Sequence, residues 1–328
     1  MAASPYRGVA VPIGTAYDTA PTPALDDLAR RFQATRAACG KDVWPWVFVN
    51  RMIGSRAGAQ NSTGENAHHR VLPDFGPMDF DPGGRARNQF LADWTAALTV
   101  AQRIGAPGVV LDLEFYNDPY VAYAISRFAG QAGLAPRSAA VRLRALGREL
   151  AGIHERVYPA AKVWLLTSGI TDSADQRIGG EWFYQPRGYI ALGLLDGLAH
   201  SPGVVIDGGE DGLGYCHETL AALSTRIAKR AELLAPLLGR YAATLKVAGT
   251  ITMWGDASTR HGWLSEGACG ASTIRRAEDF LPYLQDLNRA YAYNWVYAAP
   301  IGGYRPFDRS IADRFHAILR QSLGNGKF

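Results

Sequence analysis

Short apolar runs alternate with amphipathic stretches along most of the chain. Val9-Ala10-Val11-Pro12-Ile13 reads as a first strand. From Pro21 to Cys39, Leu25, Leu28, Ala29, Phe32 and Ala37 recur at helical spacing, and Gly40 follows as a stop. Val43 to Val49 predicts a second strand. Asn88 to Ile104 predicts a helix with Phe90, Leu91, Trp94, Leu98 and Ala101 on one face. It leads through Gly105-Ala106-Pro107-Gly108 into the apolar run Val109-Val110-Leu111-Asp112-Leu113-Glu114.

The rhythm then repeats. Ser138 to Val157 predicts a helix carrying Val141, Leu143, Leu146, Leu150 and Ile153. Lys162 to Thr167, Val204 to Asp207, Thr250 to Trp254 and Tyr293 to Ala298 read as strands. Ile190 to Leu198 is apolar throughout and reads as a short helix or a strand. His217 to Leu245 holds one or two helices, with Pro236 marking a break. Arg275 to Ala290 and Ser310 to Leu323 complete the helices. Strands separated by helices imply a parallel sheet. An open doubly wound sheet and a closed (β/α)8 barrel both fit. The barrel is favoured, because no composition shift or Pro/Ser-rich linker divides the chain. The expectation is one TIM-type α/β barrel with long βα loops across residues 1–328.

Composition supports this. The 328 residues exceed the roughly 250 of a typical barrel, and 36 Gly with 18 Pro suit many strand-to-helix loops. The stretch 54–86 is rich in Gly, Asn, Asp and Pro and reads as a long irregular loop, a usual place for function. At 48% apolar and 20% charged, the chain is rich enough to bury a core. Net charge is +4 and the longest basic run is two residues, so no nucleic-acid footprint is expected. No apolar run approaches 18 residues, so no membrane span is expected. No leader is visible at Met1-Ala2-Ala3-Ser4-Pro5; the expected location is secreted or periplasmic if one has been cleaved, and cytoplasmic otherwise.

Cys39, Cys216 and Cys269 form no CxxC; one pair bridged or three buried thiols both fit. Neither the phosphate loop nor the GxGxxG spacing occurs, and Gly-x-Ser-x-Gly is absent. No cofactor is expected. His68-His69, His217 and His261 show no metal-binding spacing, so no metal is expected either.

In a barrel the chemistry sits where the strands end. The second strand ends at Asn50-Arg51 and the third at Asp112-Leu113-Glu114, with Tyr116 just beyond. The fourth ends at Thr167-Ser168, the sixth at Asp207-Gly208-Gly209-Glu210-Asp211 and the seventh at Trp254-Gly255-Asp256. The last passes through Trp295 and Tyr297. Residues two apart on a strand face the same way, so Asp112 and Glu114 would stand side by side. Two adjacent carboxylates repel, which raises one pKa toward what a general acid needs. Asp112 is equally suited to capping a loop, and Gly-Glu-Asp-Gly to forming an acidic turn. Trp46, Tyr116, Trp254, Trp295 and Tyr297 offer flat faces that stack on sugar rings, although any single Trp is also a good core residue.

On these residues the chain resembles a (β/α)8 glycoside hydrolase. Asp112-Leu113-Glu114 is similar to the strand-end DxE of chitinase-like and muramidase-like barrels, where the Glu is the acid. The fuller DxxDxDxE is absent, since Pro107 and Val110 stand at two of its positions, and Leu113 replaces the Asn of an Asn-Glu pair. The resemblance implies hydrolysis or transfer at a glycosidic bond of a polysaccharide or oligosaccharide. Glu114 would be the proton donor and Asp112 would tune or orient it. Glu210 or Asp207, and less readily Asp256, would be nucleophile or base. Asn50, Arg51, Asp211, Asp256 and the aromatics would line the sugar groove. Two alternatives remain: a metal-dependent hydrolase such as a phosphodiesterase barrel, with His68 or His261 as ligands, and a non-catalytic sugar-binding barrel.

Overall fold

A computed structural model describes residues 5–14, 22–49, 53–55, 75–114, 124–170, 176–214, 217, 219–254, 277–298 and 309–323. The β-branched and aromatic runs form the parallel strands β1 (Gly8–Pro12), β2 (Asp42–Phe48), β5 (Gly108–Asp112), β6 (Lys162–Leu165), β9 (Val204–Asp207), β10 (Leu245–Trp254) and β11 (Tyr293–Ala298). Two short antiparallel hairpins are interposed: β3 (Ile53–Ser55) with β4 (Phe75–Met78), and β7 (Gln176–Ile178) with β8 (Glu181–Phe183). The first hairpin forms a stem inside the stretch expected to be irregular loop. The helices are α1 (Leu25–Cys39), α2 (Arg85–Ile104), α3 (Ile125–Gln131), α4 (Pro136–Val157), α5 (Pro186–Leu198), α6 (Leu220–Arg240), α7 (Leu281–Ala290) and α8 (Arg309–Ser322).

The parallel strands are ordered β1-β2-β5-β6-β9-β10-β11, which is their order along the chain. A doubly wound sheet reverses direction at a switch point; this one does not. Right-handed crossovers in one unchanging direction place the helices on one face of the sheet. The fold is therefore α/β of the TIM-barrel type, with seven parallel strands among the described residues.

The described residues fall into two compact units. One is drawn from Gly8–Asp207 and Leu237–Lys246, the other from Met1–Arg7, Gly208–Pro236 and Val247–Phe328. In the larger unit, β-strand alternation separates two faces. Val43, Val47, Val109, Leu111, Val163, Leu165 and Val205 are at most 1% exposed. Trp44, Trp46 and Trp164 alternate with them on the opposite face. There Trp44 meets Trp164 edge to face, with centroids 6.1 Å apart, and Trp46 stacks on Phe48 at 4.9 Å. The smaller unit has its own core of Leu223, Ile251, Phe280, Leu284, Leu287 and Phe315. Tyr6 packs on that core and meets His316 of α8 edge to face at 5.4 Å.

One sequence expectation changes and one open alternative is settled. Ile190 to Leu198, expected as a short helix or a strand, belongs to the helix α5. It is buried nearly all round, so it lacks the one-sided pattern that marks an amphipathic helix. Pro236 does not break α6, which continues to Arg240. Cys39 is a buried free thiol; Cys216 and Cys269 lie outside the described residues.

Helices α4 and α5 touch backbone to backbone. A Cβ on Gly193 would fall 2.0 Å from the Arg144 carbonyl oxygen, and one on Gly147 would fall 2.1 Å from that of Ile190. Hydrogen cannot be replaced by methyl there without parting the helices. At the edge of this contact Asp196 of α5 receives both arms of Arg144, at 2.7 and 3.0 Å. Arg148 donates to it at 3.2 Å and the Tyr241 hydroxyl at 2.7 Å. Burial alone would raise the Asp196 pKa, but the hydrogen bonds from Arg144 and Tyr241 hold it down to about 2.

Gly193→Ala is expected to destabilise the protein by about 3 kcal/mol in urea unfolding, as overpacking against a rigid carbonyl does; a loss under about 0.5 kcal/mol would show that the helices can separate. For Asp196 the folded pKa lies below its ordinary 3.8. The stability it contributes is therefore present above about pH 4 and lost as pH falls toward 2. Asp196→Asn should be about 2 kcal/mol less stable than wild type at pH 7 and converge on it near pH 2. A gap that does not change with pH would mean the carboxylate charge plays no part.

Candidate active site

The residues of β5 are at most 5% exposed from Val109 through Leu111, and Asp112 and Leu113 are equally buried. Glu114 emerges half-buried just beyond. The register explains the transition. Leu111 pairs with Leu165, and the Leu166 amide still donates to the Leu111 carbonyl at 3.3 Å. The strand then ends, and Asp112 Oδ1 accepts the Glu114 amide at 2.9 Å. An aspartate that bonds the backbone two residues ahead is a common way to stop a strand. Here it also fixes the point from which the Glu114 side chain departs. This contact is the loop cap that the sequence allowed for Asp112.

Asp112 is in register with Phe48, two residues beyond Trp46, so Trp46, Phe48 and Asp112 share a face. The Trp46 indole nitrogen is buried and has no hydrogen-bond partner among the described residues. Asp207 is fully buried and in register with Leu165, which is in register with Leu111. Leu111 and Asp112 are consecutive and point to opposite faces. The pleat therefore puts Asp207 on the helix side, away from the face of Asp112. The chain between β6 and β9 carries further buried polar groups: Thr167 and Ser168 at the strand end already noted in the sequence, and Gln185 and Arg187, which no sequence motif flags, are each at most 1% exposed. The Arg187 stem lies against Gly169, where an added Cβ would fall 2.5 Å from its Cγ. A fully buried arginine on an apolar helix leaves no periodic trace in the sequence.

In the smaller unit, Glu210 and Asp211 are half-buried on the turn that begins Gly208-Gly209. Gly209 has φ +85°, open to glycine and strained for other residues. A Cβ there would also fall 2.6 Å from Nη1 of the buried Arg230 and 2.8 Å from the Ala248 carbonyl. Arg230 donates to that carbonyl at 2.5 Å and sits over the Tyr291 ring, 5.3 Å from its centroid. The Trp295 indole donates to the Gly208 carbonyl at 2.8 Å. Trp295, expected to stack on sugar, thus has its polar edge committed to holding the turn. The amides of Leu213 and Gly214 close it, onto Gly209 at 2.8 Å and Glu210 at 3.1 Å.

The chain matches no protein-family model and no curated protein. Among solved structures it is similar to a tri-modular GH5 (subfamily 4) endo-β-1,4-glucanase from Bacillus licheniformis complexed with cellotetraose, at 14% identity and a TM-score of 0.39. The likeness covers 97% of this chain and 58% of that one, so the chain spans less than two thirds of its neighbour's length.

Trp254 ends β10 and Tyr297 lies within β11 in register with Thr252; the described residues do not include their side chains. Asn50, Arg51, Tyr116 and Asp256 lie outside the described residues, as do His68 and His261. His217 is buried and its Nε2 is 3.4 Å from the Thr250 carbonyl. Among the described residues no three His, Cys, Asp or Glu side chains are grouped to hold a metal, and no helix is long and apolar enough to cross a membrane.

Gly209→Ala is expected to lower stability by at least about 2 kcal/mol, from positive φ and the clash with Arg230 together. The readout is the urea midpoint. Relief of the loss by the double variant Gly209→Ala/Arg230→Met would confirm the clash, and a single variant as stable as wild type would refute the tight turn.

Proposed function

We propose that the protein is a glycoside hydrolase, or a transglycosylase, acting on a polysaccharide or oligosaccharide through carboxylate chemistry. The observation that carries this is Glu114, half-buried at the end of a fully buried strand, with its own amide clamped by the buried Asp112. A general acid must meet the leaving-group oxygen from a fixed position, and this arrangement supplies one. It stands at a strand's C-terminal end, where barrels of this type place their chemistry.

Glu114 donates its proton to the glycosidic oxygen as the bond to the anomeric carbon breaks, and the departing sugar leaves as an alcohol. A second carboxylate either attacks the anomeric carbon or takes a proton from the attacking water. Separations of about 5–5.5 Å favour the first route with retention, and about 6.5–9.5 Å the second with inversion. Glu210 is preferred to Asp207 for this role. Glu210 is half-buried on a braced turn, whereas Asp207 is fully buried on the helix side of the sheet. Asp112 is a positioning residue, since one of its oxygens is engaged with the Glu114 amide. Trp46, on the same face as Asp112, is the sugar-facing aromatic of the larger unit.

The test is a reducing-sugar assay on soluble cellulose, xylan, mannan and chitin derivatives, with and without EDTA. Glu114→Gln should lose at least 100-fold in kcat/KM on whichever polymer is cleaved, while unfolding at the wild-type temperature. A loss under tenfold removes Glu114 from the acid role. Activity abolished by EDTA would favour a metal-dependent hydrolase instead.

A further inference from the structure

The crossover from β6 to α5 carries a feature that the candidate active site does not use. The hairpin of β7 and β8 pairs Gln176 with Phe183, Arg177 with Trp182 and Ile178 with Glu181. Gly179 and Gly180 make its two-residue turn, with φ of +57° and +91°. Positive φ at both positions is what a tight hairpin of matching twist demands. Next to this turn Trp182 is 65% exposed, while its neighbour Phe183 is 6% exposed and anchors the base.

The hairpin is held at both ends. At the tip, Glu181 receives Nε of Arg137 at 2.7 Å and Nη2 at 2.5 Å. Arg137 stands in the first turn of α4, the second helix after β5. At the base, the Tyr184 amide donates to the Tyr189 hydroxyl at 3.2 Å, and the two rings meet edge to face at 5.9 Å. On the pleat between, the Arg177 guanidinium lies over the Trp182 ring, 5.9 Å from its centroid. One face of the indole is thereby backed by a cation, which fixes its orientation. Trp182 nevertheless remains largely in water.

We propose that Trp182 is a stacking platform for a pyranose ring of the glycan, on the loop that follows β6, the strand paired with the one that carries Glu114; this rests on the glycosidase reading above. Three observations combine. The hairpin belongs to the loop that leaves the C-terminal end of β6, and β6 is paired with β5, whose end carries Asp112 and Glu114. On its own face of the hairpin the exposed indole is flanked by the cross-strand Arg177, while Glu181 and its partner Arg137 lie on the opposite face. A protein partner needs about 800 Å² on each side, whereas a sugar ring needs one indole face and polar groups at its edge. The ring is also pre-ordered by the bidentate ion pair and the cation contact. Binding there has little side-chain freedom left to freeze.

Affinity electrophoresis separates this idea from the one it rests on. The inactive full-length Glu114→Gln protein is run through gels containing hydroxyethyl cellulose, xylan, galactomannan or glycol chitin. Adding Trp182→Ala should weaken retardation by the retained polymer about tenfold, and Trp182→Tyr should keep most of it. The melting temperature should not move, because the ring is exposed. Unchanged retardation of the Trp182→Ala protein overturns the platform and leaves the glycosidase reading standing. No retardation of the Glu114→Gln protein by any of the four polymers, with no cleavage of them by wild type, overturns both.

Discussion

Parallel strands run out of partners at their ends, and every backbone group left there needs another partner. That constraint shapes the strand ends in each of the two units. At the end of β5 the missing acceptor is supplied by Asp112, which takes the Glu114 amide. After β9 the missing donor is the Trp295 indole, which reaches the Gly208 carbonyl. Beneath the same turn, Arg230 satisfies the Ala248 carbonyl. A buried backbone group without a partner costs about as much as a lost hydrogen bond, so these side chains are structurally required. Each contact also fixes the backbone that carries a carboxylate. Stability and placement of these carboxylates come from the same bonds.

The pleat then decides which carboxylates face which way. Asp112 shares its side of the sheet with Trp46 and Phe48. Asp207 alternates to the side of Leu111 and Leu165, where the helices lie. One residue of register therefore distinguishes a group on the aromatic face of the sheet from one beneath the helices. Proximity in the sequence to Gly208 and Glu210 says nothing of this. The same alternation gives the aromatic side of the sheet its character, since large rings appear at every second position of β2 and again in β6.

Much of this is legible in the order of the amino acids. Strands and amphipathic helices announce themselves by their periods, and consecutive alternation points to one winding direction. The strand ends point to Glu114 and Asp112. Three things escape, each for a physical reason. Helix α5 is buried on nearly all sides and packs through Gly193 against α4, so it has no polar stripe to reveal its period. The β7–β8 hairpin has strands of three residues, too short to alternate visibly. Its signal is the Gly179-Gly180 pair flanked by Ile178 and Glu181. Trp295 suggests stacking by its flat faces, but the group that matters most is its single N–H, whose partner is far away in sequence at Gly208.

The scaffold's own titrations are separated from the chemistry proposed for the rim. Asp196 ionises near pH 2, because burial, which would raise its pKa, is outweighed by the hydrogen bonds of Arg144 and Tyr241. It therefore stays charged wherever a catalytic carboxyl works. His154 behaves in the opposite sense. It is fully buried between α4 and the chain leading to β6, bonded to the Ala161 carbonyl at 2.9 Å. Burial lowers its pKa, and the Ala161 carbonyl and Glu155 only partly oppose that shift. The unfolded chain takes up a proton here at a higher pH than the folded one, so stability declines as pH falls below about 6.5 toward the lowered value. Near pH 4 that loss is at least as large as near pH 6, and the stability contributed by Asp196 begins to fall as well, because its carboxyl in the unfolded chain titrates near 3.8. An acid limb in either range must therefore be compared with the loss of folded protein before it is assigned to the carboxylates proposed for the rim.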